Sequence, residues 1–181
     1  MTTCDRCGFV YEDVASDAVA ALVRGFGPRY REVLLGPGRG RRDPRRAEDA
    51  ARTRPSPTTW SALEYACHVR DVLFVQRDRA IAALVEVRPN FPLMHRDERV
   101  ALAHYHAQSL ETVAVQIDVA AELFALVFDG LDPSQLRRSL VYNFPEPTER
   151  DLAWLGRNTV HEGEHHLLDI TSVLAGSDPS R

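Results

Sequence analysis

Two histidines near the C-terminus, His161 and His165, are the residues best placed to do chemistry together. They lie in Val160-His161-Glu162-Gly163-Glu164-His165-His166-Leu167-Leu168-Asp169-Ile170, a stretch that reads as helix. A spacing of four residues stacks them on one helix face. Two imidazoles so placed can share one divalent metal ion, at roughly 2.0–2.1 Å if it is zinc. Two ligands do not complete a site, so a third must come from elsewhere. Downstream, Asp169 is the sole candidate. Upstream stand His68, His95, His104 and His106. His104 and His106 are two residues apart, so a helix would aim them at different faces; a place at the rim of a pocket suits them better.

A second group opens the chain. Cys4-Asp5-Arg6-Cys7-Gly8 looks like one zinc knuckle, which makes Cys4 and Cys7 candidate ligands of a second metal. A structural zinc site takes four ligands, so two more are required. Cys67, a histidine or a second subunit could supply them. The plain alternative is two thiols in an N-terminal turn. Three cysteines, an odd number, argue against a disulfide framework.

His161-Glu162-x-x-His165 is also a literal H-E-x-x-H, in which Glu162 would be the general base of a metalloprotease. Only 16 residues follow His165 to supply a third ligand, and no strand-rich region exists to hold an extended peptide. Glu162 also points about 100° away from His161 on a helix. The protease reading is therefore set aside.

The elements that must position these residues are helical. Val10, Val14, Ala18, Leu22, Phe26 and Tyr30 form a stripe with a period of four, interrupted by Gly25, Gly27 and Pro28, so a first helix is kinked or broken there. Residues 36–59 read as loop, punctuated by glycine and proline and made basic by Arg39, Arg41, Arg42, Arg45, Arg46, Arg52 and Arg54. No aromatic residue interrupts that cluster before Trp60, so base stacking has little support and nucleic acid is not an expected partner. A long helix follows over about 60–87, with Ser61-x-x-Glu64 as a capping box. It carries His68 among Leu63, Ala66, Val69 and Val72, where a hydrogen-bonded core histidine is the ordinary reading. A third helix covers about 108–128, ended by Gly130, and Asp132-Pro133 starts a short helical turn. The connector at 141–147 has room for one short strand, and Thr148-x-x-Asp151 reads as the cap of the last helix, to about Leu174. Gly156 and Gly163 share its apolar stripe two turns apart, which predicts close approach of a neighbouring helix. Trp154, Arg157, His161 and His165 share another stripe that suits a pocket wall.

The expectation is an all-α four-helix bundle with long connecting loops. Residues 1–9 form a CxxC segment, 10–175 the bundle and 176–181 a disordered tail. Of 181 residues, 44% are hydrophobic, enough for one core, and no apolar run approaches the ~20 residues of a membrane span. No signal peptide is visible, and the expected location is the cytoplasm. The net charge of −4 gives no general argument for nucleic acid.

Trp60-Ser61-Ala62-Leu63-Glu64-Tyr65-Ala66-Cys67-His68-Val69-Arg70-Asp71-Val72, followed by His161-x-x-x-His165-His166, resembles the DinB-like superfamily over roughly residues 10–175. In that family a Trp-Ser turn opens the second helix, which gives one histidine, and the fourth helix gives an H-x-x-x-H pair. The resemblance implies His68, His161 and His165 as metal ligands. The Cys4-x-x-Cys7-Gly8 opening looks like an actinobacterial subgroup. The similar mycothiol-dependent maleylpyruvate isomerases and bacillithiol and mycothiol S-transferases suggest the chemistry. Three neutral imidazoles would leave a divalent metal, zinc or alternatively nickel, its full charge and an open position. Such a site deprotonates a coordinating thiol and lowers the pKa of bound water. The implied function is a thiol-dependent S-transferase or isomerase acting on a small electrophile with a low-molecular-weight thiol of mycothiol type. The alternatives are a hydrolase using metal-bound hydroxide and a non-catalytic metal-binding or dimerisation module. Arg157 is the candidate clamp for a substrate carboxylate, with Trp154 beside it, and Glu64, Asp71 or Asp169 could orient a ligand histidine. Besides a small-molecule substrate, a second copy of the chain is a candidate partner, as bundles of this size often pair.

Overall fold

The computed structural model describes residues 3–36 and 44–177. The N-terminal hairpin, closed by a bridge between Thr3 and Val10, leads through two turns of 3-10 helix into α1 (Val19–Arg24) and α2 (Phe26–Leu35). The break between them falls at Gly25, where the interrupted stripe placed it. α4 (Ala62–Val85), α6 (Leu110–Phe128) and α8 (Leu152–Leu174) are the other long members. α4 packs against α6 and α8, and the α1–α2 pair closes the ring against α6 and α8, giving a four-helix bundle. Among the described residues, no helix is long and apolar enough to cross a membrane.

Local chemistry sets where the long helices start. Ser61 and Glu64 form the reciprocal capping box of α4: the Glu64 amide donates to Ser61 Oγ at 3.2 Å and the Ser61 amide to Glu64 Oε2 at 2.8 Å. Arg54 then grips both oxygens of Glu64 at 2.8 Å. Ser109 caps α6. Asp132 caps the short α7 (Pro133–Leu136), with proline in its first turn. Two expectations need correction. A helix, α3 (Pro44–Arg52), forms inside the stretch read as loop; Ala51 is fully buried and Arg52 reaches back one turn to Glu48. Thr148–Asp151 is a strand, not the first turn of the last helix. It pairs antiparallel with Ser139–Tyr142 as β2 and β1, and Asp151, not Thr148, is the cap of α8, accepting from the Trp154 amide at 2.7 Å. Of the basic cluster, Arg52 and Arg54 are spent on Glu48, the His106 carbonyl and Glu64. Arg39, Arg41 and Arg42, and all but the first two residues of the expected tail, lie outside the described residues.

The connection between α4 and α6 carries α5 (Arg96–Leu102) and the stretch before it. That stretch is tied to β1 by bonds from the Val141 amide to the Pro89 carbonyl at 2.9 Å and from the Phe91 amide to the Val141 carbonyl at 3.4 Å. The β1–β2 hairpin and the 89–98 segment thus form an outer wall along α4, touching it at Gln76, Arg79 and Ala83.

Gly156 and Gly163 face the core. A Cβ at Gly156 would stand 2.6 Å from Phe128 Cε1, and one at Gly163 would overlap the fully buried Phe26 ring. Gly163→Ala forces that ring to move and is expected to cost roughly 1–2 kcal/mol net, since overpacking outweighs the ~1 kcal/mol that alanine recovers in helix propensity. A thermal melt would register it as a drop of a few degrees, about 2–4 °C per kcal/mol for a chain of this size; an unchanged or raised midpoint would contradict the packing.

Candidate metal centre

α8 presents four potential ligands in six residues, His161, Glu162, His165 and His166, and they divide into two pairs. His161 and His165 face the N-terminal hairpin, where they join Cys4 and Cys7. Glu162 and His166, turned by one residue and so by about 100°, face α4 and join His68. Within each group one ligand atom per residue lies within 4.8 Å of all the others. The expected set of His68, His161 and His165 is not gathered into one such group. His68 instead stands beside Glu162 and His166, two residues outside the expected set. The signal for them was in the sequence: Glu162 and His166 are a second pair spaced by four residues, overlapping the first.

In the inner group, His68 Nε2 is 3.9 Å from Glu162 Oε2, and His166 Nε2 is 3.5 Å from the same oxygen. His166 Nδ1 is held by Asp169 Oδ2 at 2.9 Å. His68 is buried and its Nδ1 has no hydrogen-bond partner. Burial pushes His68 down to about 3, with the charge on His166 adding to the effect, so its imidazole is neutral. Burial acts against charge on His166 too, but hydrogen bonds to Asp169 and Glu162 overcome it and raise that imidazole to about 9. Burial likewise opposes ionisation of Glu162, and the bond to His166 outweighs it, bringing the carboxyl to about 2. Without a metal, the His166 imidazolium balances Glu162; a bound cation would take over that role.

Asp169 holds the ring of His166, which is outside the expected ligand set, and stands 3.5 Å from Nε2 of His165, which is in it. The other two candidates do not reach a ligand. Glu64 is engaged by Arg54 and Ser61, and Asp71 accepts from Tyr105 at 2.6 Å and pairs with Arg70. Cys67 is buried, 3.7 Å from Gln108 Oε1, and burial pushes its thiol up to about 12; it does not join Cys4 and Cys7. Arg157 donates to the Val14 carbonyl at 2.9 Å and Ser16 Oγ at 3.2 Å, tying down the N-terminal segment. Trp154 packs edge-on to Tyr142 at 5.0 Å and stacks on Tyr11 at 6.3 Å.

A cavity of about 310 Å³ opens beside the inner group, with His68 and Glu162 in its wall and Arg79, His95, Tyr142 and Phe144 around it. Neither Cys4 nor Cys7, His161 nor His165 lines it, and neither do Trp154 and Arg157. His95 thus lies at the pocket, whereas His104 and His106 do not.

The DinB superfamily model matches residues 45–170. The chain belongs to the DinB superfamily. The matched region includes His68 and all four ligand candidates of α8, and it leaves out Cys4 and Cys7. A solved structure, described as "YfiT from Bacillus subtilis is a probable metal-dependent hydrolase with an unusual four-helix bundle topology", superposes with a TM-score of 0.72 at 12% identity, covering 88% of this chain and 85% of that one. At that identity the likeness establishes the fold. No curated protein matches the chain.

The inner group makes a sharp prediction for the metal-stripped protein. One histidine, His166, should titrate near pH 9 and another, His68, should stay neutral above pH 5. Glu162→Gln removes a carboxylate that stabilises the imidazolium, so the high midpoint should fall by about one unit or more. NMR titration of the imidazole protons reads both; a midpoint unmoved by the substitution would refute the pairing.

Proposed function

We propose that this DinB-superfamily chain is a metal-dependent hydrolase acting on a small substrate with an anionic group, and that His68, Glu162 and His166 hold the metal. The observation that carries the reading is that two members of this three-ligand group, His68 and Glu162, line the 310 Å³ pocket, with His166 behind them. Catalytic zinc sites take three protein ligands and keep one position for water or substrate, and two imidazoles with one carboxylate are a donor set of hydrolytic centres. The convergence of the Nε2 atoms of His68 and His166 on Glu162 Oε2 fits such an ion. When bound, a divalent metal there supplies a Lewis acid that acidifies a coordinated water or thiol.

The chain's own residues do the rest. Asp169 fixes the ring of His166 through Nδ1 and leaves Nε2 facing the group. Tyr142 lies across the pocket. Its hydroxyl oxygen faces amide donors from Gln76 and Asn158, each at 3.4 Å, so its own proton is left to donate toward developing negative charge. Burial raises its pKa, which keeps that proton in place at neutral pH. Arg79 is buried against the Tyr142 ring at 4.8 Å and bonds only neutral acceptors, Gln76 Oε1 and the Pro92 carbonyl, among its described hydrogen bonds. Its charge in the pocket wall supports a carboxylate or phosphate on the substrate, the role expected of Arg157.

The presence of Glu162 favours hydrolysis over thiol transfer, because a carboxylate ligand reduces the positive charge available to hold a thiolate. A panel of small esters and amides bearing a carboxylate, assayed on zinc-loaded and nickel-loaded protein with and without a low-molecular-weight thiol, separates the two. Turnover without thiol, reduced at least a hundredfold by His68→Ala and by Glu162→Gln, is expected. Turnover that requires thiol would replace the hydrolase with the transferase. Activity untouched by either substitution would refute the site. Arg79→Gln should raise KM for anionic substrates at least tenfold and spare neutral ones; equal effects on both would remove the anion from the reading.

A further inference from the structure

The outer group has a different character. We propose that Cys4, Cys7, His161 and His165 form a second metal site, a closed Cys2His2 zinc site that staples the N-terminal hairpin to α8. Nothing in this proposal depends on the hydrolytic reading of the inner group.

The cysteine pair is already folded into the shape such a site uses. The Gly8 amide donates to the Cys4 carbonyl at 2.8 Å and the Cys4 amide to the Phe9 carbonyl at 2.9 Å, closing a tight loop around Cys4-Asp5-Arg6-Cys7. Gly8 takes a φ of +71°, a conformation that glycine adopts without strain, and so turns the chain directly after the second cysteine. The two thiols then face α8, where a spacing of four residues sets both imidazoles on the same side. Zinc bonds of about 2.3 Å to sulfur and 2.0–2.1 Å to nitrogen give a tetrahedron with edges of roughly 3.3–3.8 Å. The Cys4 Sγ to His165 Nδ1 distance is 3.7 Å, already one such edge. All four ligand atoms lie within 4.8 Å of one another, so small side-chain rotations complete the rest.

The hydrogen bonds around the imidazoles set their tautomers for the task. The Tyr11 hydroxyl donates to Asn158 Oδ1 at 2.9 Å, which commits its only proton. It therefore accepts from His161 Nδ1, 3.0 Å away, and the proton of that ring sits on Nδ1. Nε2 is left with a bare lone pair, buried and without a partner. A buried acceptor with nothing to accept from is costly, and a metal ion in this group answers it. On His165 the assignment is reversed: Nε2 is 3.5 Å from Asp169 Oδ2 and Nδ1 faces Cys4. Each ring thus has an oxygen on its outer nitrogen and its inner nitrogen turned to the thiols, the arrangement found around metal-bound histidines.

Two thiolates and two imidazoles select zinc among the common divalent ions, and four protein ligands leave no position for substrate. The group also stands away from the pocket. Its role is to fasten. The two 3-10 turns after the hairpin contain no buried residue, and Phe9 and Val14 beside them are only partly buried against the core.

The test is X-ray absorption at the zinc edge on full-length protein purified with reductant, together with metal content. The proposal expects sulfur scatterers at about 2.3 Å and the loss of one zinc equivalent and of the sulfur shell in Cys4→Ser/Cys7→Ser. It also expects His68→Ala to keep the sulfur-bound zinc. A zinc spectrum of the wild type with nitrogen and oxygen only, or a cysteine variant with unchanged metal content, would overturn it. If the cysteine variant fails to fold, the wild-type spectrum alone decides. Loss of hydrolysis in His68→Ala bears on the inner group only, so the two readings fail separately.

Discussion

One oxygen atom, Asp169 Oδ2, governs both halves of the ligand-rich face of α8. It lies 2.9 Å from His166 Nδ1 and 3.5 Å from His165 Nε2, and its residue is 5% exposed. A carboxylate at that depth is tolerable because it is hydrogen-bonded to imidazoles that can carry or share a proton and pairs through Oδ1 with Arg6 at 3.4 Å. The same contacts decide which nitrogen each ring offers. His166 is left with Nε2 toward Glu162 and α4, and His165 with Nδ1 toward the hairpin. Neighbouring histidines are thereby given opposite tasks by a single acceptor.

The split into an inner and an outer group follows from helix geometry combined with what each side of α8 meets. Toward α4 the helix meets one histidine and a pocket; toward the N-terminus it meets two cysteines and a tyrosine. Three ligands with an opening and four ligands without one are the two ways proteins use zinc. The superfamily match takes in the inner group whole and only the histidine half of the outer one. The hairpin that brings Cys4 and Cys7 lies outside the matched residues, as do α1 and α2.

Most of the fold was legible because its causes are local. Ser61 and Glu64, Gly25, Gly130 and the Asp132-Pro133 pair act through bonds and dihedrals within a few residues, and the long apolar stripes between them leave little choice. α3 was missed because it is short, lies among glycines and prolines and has only alanines on its apolar face, too small to stand out; tertiary contact buries Ala51. The 141–147 connector had room for one short strand, and β1 overlaps it at Val141 and Tyr142; its partner β2 was missed, since a four-residue strand is specified by its partner more than by itself. In the site, the residue types and the helix were readable, and the partition was not. Choosing between two overlapping pairs requires the rotation of α8 about its axis, and that is set by Phe26, Phe128 and Val19 on the other helices. Arg157 fell for the same reason: the stripe placed it near the site, and only the folded N-terminal segment shows Val14 and Ser16 taking its hydrogen bonds.

Gly163 lies inside both pairs in sequence and points to the bundle interior, where Phe26 fills the space its side chain would take and Tyr30 donates to its carbonyl at 2.7 Å. Around the helix His161 and His165 stand about 160° from Gly163, Glu162 about 100° and His166 about 60°, each with its ligand atoms some 5–6 Å from the axis. At that radius a roll of only ~10° sweeps a ligand through about 1 Å, twice the tolerance of a working metal or catalytic centre. The aromatic ring seated in the notch at Gly163 therefore acts as a key in a keyway: it sets the angular accuracy with which α8 delivers every one of its ligands.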